Sequence, residues 1–309
     1  MPSNPRIIDT HCHHLPLSII RRASFYPQTW ATTELKLLAM EEAHVERALL
    51  SYPTTDALKK GQMQEAELAQ TFNDELARVI KQFPTKFLGA ALVPVGEKTA
   101  MLEEFQRATR ELGLSALSMA SSYDKIYLDD ERFYPLYSLA EKEGIPLFVH
   151  ATTIDPIGSE RFFDPLLTPV MGYLFDVTIC LGRMINNGVF RRFPQLKVIF
   201  AHFGGVIPFL RERFDSTYKM LLGRGLTKDI GALPSTYLGQ VYFDTSGSQS
   251  YSQMLSAIEA VGVEHLLWGS DFPSQPTMKS SLEAIGAMPL GEEQKIKIGG
   301  ENAAELFKL

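Results

Sequence analysis

Three of the chain's seven histidines fall within four positions, in "IIDTHCHHLP" at residues 7–16. They follow an apolar run with strand character. Side chains alternate along an extended chain, so His11 and His13 point one way, and Cys12 and His14 the other. A His-x-His pair at a strand end can grip one divalent ion from adjacent directions, and imidazole suits Zn2+ and other late first-row ions. Cys12, between the pair, reads as packing. One such pair is a weak signal. Here His150 closes "LFVH", His202 follows "VIFA" and Asp271 follows "LLWGS". A histidine pair, a further histidine and an aspartate, all at strand ends, is a much stronger signal.

These groups need elements that bring them together from up to 260 residues apart. Eight short apolar runs read as strands: Arg6–Thr10, Ala48–Tyr52, Phe87–Val93, Ala116–Met119, Pro146–His150, Val198–Ala201, Val241–Asp244 and His265–Trp268. Helical patterns lie between them, among them 33–43 with Thr33 as its cap, 65–83, 101–113 and 132–144. The last two end at glycines that suit a helix C-terminus, and Pro135 falls in a first turn. Strand–helix alternation implies a parallel sheet. Eight repeats with no spare strand predict a (β/α)8 TIM barrel, with a doubly wound open sheet as competitor. The stretch from Thr152 to Phe193 is too long for a simple crossover and predicts a helical insertion after strand 5. Residues 1–309 read as a single barrel domain. In such a barrel the C-terminal strand ends gather on one face, which is where His11, His13, His150, His202 and Asp271 would meet.

Composition bounds the partners. The net charge is −6 and no dense basic run occurs, which argues against nucleic acid. The most apolar long stretch, 166–190, is broken by Asp176 and Arg183, so no membrane span is expected. "MPSNPRIID" has no apolar signal core, and two distant cysteines do not make a disulfide framework. A cytoplasmic protein is expected.

The quoted residues "DTHCHH", "VHA", "AHFGG" and "GSDFP", with the terminal "GGENAAELF", resemble the amidohydrolase superfamily over nearly the whole chain. Within it they are similar to the branch of aminocarboxymuconate-semialdehyde decarboxylase and related aromatic-acid decarboxylases. The resemblance implies that His11, His13, His150 and Asp271 bind one metal ion, Zn2+ or Mn2+. It implies that His202 works as acid and base beside the ion, with Asp271 able to exchange protons. Binuclear relatives carry a lysine at the end of strand four; "LSALSMAS" has none, so one ion is expected. The branch's substrate arginines fall on Lys36 and Arg213, the latter reaching a neighbouring subunit's site, which implies a homodimer. Lysine keeps the charge of arginine but not its fork. Phe25, Tyr26 and Trp30 lie after strand one and could wall an aromatic pocket.

A metal ion lowers the pKa of bound water towards about 7 and stabilises charge developing on substrate oxygens. The expected function is non-oxidative decarboxylation of a small aromatic or unsaturated (hydroxy/amino) carboxylic acid. The alternatives are a hydrolase of lactones or amides, or a hydratase, of the same superfamily. A barrel that only binds is disfavoured by the presence of both Asp271 and His202. His14 reads as a loop or supporting residue. His44 and His265 read as ordinary helix-end and strand-start residues, and the glycines of "HFGG" are weak evidence for a phosphate cradle.

Overall fold

A computed structural model describes residues 5–23, 26–53, 63–161 and 164–309. Phe25 lies outside them. Ten strands occur in chain order: β1 Ile8–His13, β2 Arg47–Ser51, β3 Phe87–Ala91, β4 Ala116–Ala120, β5 Ser122–Tyr123, β6 Ile126–Tyr127, β7 Leu147–His150, β8 Val198–Phe200, β9 Val241–Asp244 and β10 Leu266–Leu267. Eight of them form one sheet in the order β1-β2-β3-β4-β7-β8-β9-β10, and every pair in it is parallel. Backbone bonds bring the last strand against the first: Thr10 N donates to Trp268 O at 3.0 Å, Asp271 N to His11 O at 2.8 Å and His13 N to Phe272 O at 2.7 Å. The expected (β/α)8 barrel is the architecture found.

Two apolar clusters hold it. Ile8, Leu49, Leu88, Phe148, Ile199 and Leu267 fill the barrel, and Leu306 of the helix Asn302–Phe307 belongs to the same cluster. A larger cluster packs the helices on the outside, and Cys12 belongs to that one, as alternation predicts. Full burial of one such side chain contributes about 1.5–3 kcal/mol.

The expected helices are present with shifted ends. The helix Thr33–Glu42 starts after Thr32, and no side chain caps it. The segment expected at 101–113 begins at Lys98, because the Glu97 carboxylate accepts from Thr99 N at 2.9 Å and Ala100 N at 2.6 Å. Tyr134–Glu143 carries Pro135 in its first turn and ends at Gly144 with φ 67°. The insertion after the fifth barrel strand contains the helix Tyr173–Asn186. β1 runs on through His13 rather than stopping at Thr10, with a register irregularity between Asp9 and Cys12. The hairpin β5–β6 was not among the expected strands. Its turn residues Asp124 and Lys125 both have positive φ, 47° and 68°, the backbone that suits a tight two-residue hairpin.

Gly300 lets the C-terminal segment touch β1's approach. A Cβ there would lie 2.1 Å from the Arg6 carbonyl oxygen. Gly300→Ala is therefore expected to lower stability by about 1–3 kcal/mol, the usual cost of overpacking, seen as a lower urea midpoint. An unchanged midpoint would show that the contact gives way freely.

Candidate metal centre

His11, His13, His150 and Asp271 each place one ligand atom so that all four atoms lie within 4.8 Å of one another, and all four residues are buried. β1 supplies the first two and the end of β7 the third. Asp271 follows β10 in a left-handed conformation, φ 58°. Gly269 makes the approach possible, since a Cβ there would meet the His11 Cβ at 2.8 Å.

The hydrogen-bond partners fix the ring protons, which are assigned from those partners. His11 Nδ1 lies 2.9 Å from Asp244 Oδ2, so it carries the proton and donates. His150 Nδ1 donates to Ala151 O at 2.9 Å. His13 Nδ1 lies 3.1 Å from Ser51 Oγ, whose own hydrogen goes to Cys12 O, so this ring nitrogen also donates. All three Nε2 atoms are left with lone pairs turned inward. His11 Nε2 and His13 Nε2 stand 3.0 Å apart, and Asp271 Oδ1 is 3.4 and 3.2 Å from them. Unprotonated nitrogens and a carboxylate that close, buried, repel one another unless a cation joins them. The donor set fits a divalent ion with nitrogen and oxygen ligands.

The electrostatics agree. Burial alone would lower the pKa of His11, but the Asp244 carboxylate outweighs it and raises the value to about 8. Burial raises Asp244, and His11 outweighs it in turn, to about 2. Burial likewise raises Asp271, yet His11 and His13 hold it below the usual carboxylate range. For His150 and His13 burial is the largest cause and drives both down, His13 to about 4. The site holds Asp244 and Asp271 ionised and His13 and His150 neutral, the forms that bind metal, while His11, raised to about 8, gives up its extra proton when an ion takes its Nε2.

His202 stands beside this set, its ring centroid 5.1 Å from that of His11 and 5.3 Å from that of His150. Ser246 Oγ gives its hydrogen to Asp244 and so accepts from His202 Nδ1 at 2.8 Å. The Nε2 of His202 is left as its open proton site.

Sequence reading passed over four residues that order the centre. Asp244 accepts from His11, from His202 N at 3.1 Å and from Ser246 N at 2.9 Å. Asp9 accepts from His11 N and Ser270 N, both at 2.9 Å, and burial raises its pKa to about 6. Ser51 and Ser246 hold ring nitrogens. The signal was available: Asp244 closes a strand that was identified, and Asp9 is an acid inside an apolar one.

The remaining candidates are spread out. The Trp30 ring stacks on His13 at 5.6 Å and 10°, and Tyr26 packs edge-on against Trp30. Lys36 is fully buried rather than exposed, and its Nζ donates to Trp30 O at 2.8 Å. Arg213 is exposed on the helix Ile207–Gly223, and no carboxylate among the described residues pairs with it. His14 is buried with neither ring nitrogen hydrogen-bonded, and burial lowers its pKa to about 3.

Asp244→Asn removes the charge that orients His11 and holds its Nδ1 proton. The expected result is a metal affinity about 10–100-fold weaker, measured by competition with a chelating dye. Unchanged affinity would deny Asp244 that part.

The amidohydrolase family model matches residues 8–309. The chain is 29% identical over 251 residues to a 2-amino-3-carboxymuconate-6-semialdehyde decarboxylase of Dictyostelium discoideum, covering 79% of this chain and 67% of that one. Among solved structures it superposes on 5-carboxyvanillate decarboxylase of Sphingomonas paucimobilis with a TM-score of 0.87 and 25% identity, over 99% of this chain and 100% of that one. It shares the fold of a dihydroxybenzoic acid decarboxylase of Polaromonas sp. JS666, solved with bound manganese and 2-nitroresorcinol, with a TM-score of 0.83 and 22% identity over 99% and 98% of the two chains. The chain belongs to the amidohydrolase family.

Proposed function

We propose that this chain is a single-domain, metal-dependent decarboxylase that removes CO2 without oxidation from an aromatic or unsaturated carboxylic acid. The observation that carries the reading is the convergence of three Nε2 lone pairs and the Asp271 carboxylate beside His202, in a chain whose relatives named above are carboxy-lyases. One Zn2+ held by His11, His13, His150 and Asp271 is the proposed cofactor, with Mn2+ suited to the same donors. When bound it supplies positive charge against the oxygens of the acid.

The protein's own groups then move the proton. Asp271 or the Nε2 of His202 first takes up a proton, from the acid's own acidic group or from solvent, and passes it to the ring carbon bearing the carboxylate. The bond to the carboxylate breaks, its electrons return to the ring, and CO2 leaves. Ser246 keeps the other His202 nitrogen occupied, so transfer is confined to Nε2. Trp30 offers an aromatic face beside His13. Lys36 serves substrate binding through Trp30, by holding the turn that carries it.

Headspace CO2 from a panel of hydroxybenzoates tests the reaction, and elemental analysis tests the ion. Chelation is expected to abolish turnover, and Zn2+ or Mn2+ to restore it. His202→Ala is expected to keep the metal and lose about 10²–10⁴-fold in kcat. Lys36→Met is expected to keep the metal and raise KM. No CO2 from any acid, with turnover of lactones, would assign a hydrolase instead.

We infer a homodimer in which Arg213 reaches the neighbouring copy's site. Phe209, one turn before it on the same helix, is 85% exposed, an apolar group left without cover. Sedimentation is expected to give a dimer that Phe209→Glu dissociates, and a wild-type monomer would end this reading. No described helix is long and apolar enough to cross a membrane. Both cysteines are buried and unbonded, which supports a cytoplasmic setting; fractionation of expressing cells tests it.

A further inference from the structure

A cavity of about 530 Å3 opens past the C-terminal ends of β2, β3 and β4, and none of the four candidate ligands is among its lining residues. Strand register relates it to the metal centre. Ala120 on β4 lies opposite His150 on β7, and Ser118 lies opposite Phe148. His150 is a ligand, and the Phe148 ring packs 4.9 Å from the His11 ring. Side chains in register on parallel neighbours point the same way, so Ser118 and Ala120 face the barrel mouth. Both are small, and both line the cavity, as does Thr152 two residues past His150.

The walls are apolar. Leu68 comes from the helix Glu65–Gln82, Leu92 and Val93 follow β3, and Met119 belongs to β4; all four are buried. Of the charged lining residues, Asp124, Lys125, Arg132 and Asp155 are exposed at the solvent edge, and Glu65 is half-buried with its carboxylate accepting from Gly96 N at 2.6 Å. The roof is the β5–β6 hairpin, and it is tied down. The buried Asp176 carboxylate accepts from Ser122 Oγ at 3.0 Å, Tyr127 OH at 3.3 Å and Ile157 N at 2.9 Å. Tyr123 OH accepts from Ala120 N at 2.9 Å. The volume is therefore a built feature of the fold.

A cavity of this size can by itself bury most of a drug-sized molecule. Neither the candidate ligands nor His202 or Trp30 lines it, so an acid head at the metal leaves this lining to the rest of the substrate. We propose that the substrate carries, besides its acid head at the metal, an apolar substituent about as large as a pentyl chain, seated in this cavity. This rests on the decarboxylase reading for the head group only. Leu68, Leu92, Val93 and Met119 then select chain length, while Ser118 and Ala120 keep the passage from the metal open.

The test measures affinity and turnover separately on the metal-loaded enzyme. Calorimetry with resorcinols carrying 4- or 5-alkyl chains of zero to five carbons reads binding. Each methylene is expected to tighten Kd about threefold to fourfold, the value of one buried CH2. Ala69→Leu and Val93→Phe, which fill the cavity from two walls, are expected to flatten that slope; thermal melting confirms that each variant is folded. Salicylates with the same 4- or 6-alkyl chains, assayed for CO2, are expected to show kcat/KM rising in parallel. A wild-type Kd indifferent to chain length overturns the proposal, as does an equal slope in both folded variants. Climbing affinity without CO2 from any acid would remove the decarboxylase reading and leave the cavity's assignment standing.

Discussion

The buried contact between Asp244 and His11 governs the rest of the centre. A carboxylate with no access to water must be matched by donors or by charge, and Asp244 collects both. It holds the His11 proton on Nδ1, so the lone pair on Nε2 must face the cavity. Its other oxygen accepts from the His202 and Ser246 backbones. One side chain thus sets the tautomer of a proposed metal ligand and the position of the histidine proposed to handle the proton. His202 sits in a left-handed conformation, φ 54°, which costs energy in a non-glycine residue. The bond from its backbone N–H to Asp244 helps hold it there.

The barrel turns this local chemistry into a site. Parallel strands put all their C-terminal ends on one face, so residues separated by hundreds of positions become neighbours without long ordered loops. The interior of the barrel is dry and apolar beneath the ligands. That dryness strengthens every charge interaction above it; it holds His13 and His150 neutral, while the neighbouring histidines, against the burial, keep Asp271 ionised.

Much of this was legible in the sequence because β structure writes its period plainly. All eight barrel strands fall where apolar runs indicate, and alternation separates His11 and His13 from Cys12 and His14. Less legible were groups whose signal lies in a partner far along the chain. Asp244 is an unremarked acid until His11 stands 2.9 Å away. Lys36 looks like an ordinary surface lysine, because nothing local records that the Trp30 carbonyl lies over its helix. The β5–β6 hairpin is too short for periodicity to reveal, and only "YDKIY" hints at its turn.

β4 links the metal site to the shape of the substrate pocket. A long cationic or carbamylated side chain at the end of this strand would reach toward His150, the register partner of Ala120. The strand ends instead in Ser118, Met119 and Ala120, two of which are small and face inward. A second ion then lacks a bridging ligand from this strand, and the space such a ligand would fill joins the cavity under the β5–β6 hairpin. The absence of a lysine, on which the proposal of a single ion rests, also leaves room at the end of this strand. The proposed metal count and the proposed substrate size both follow from the same short side chains.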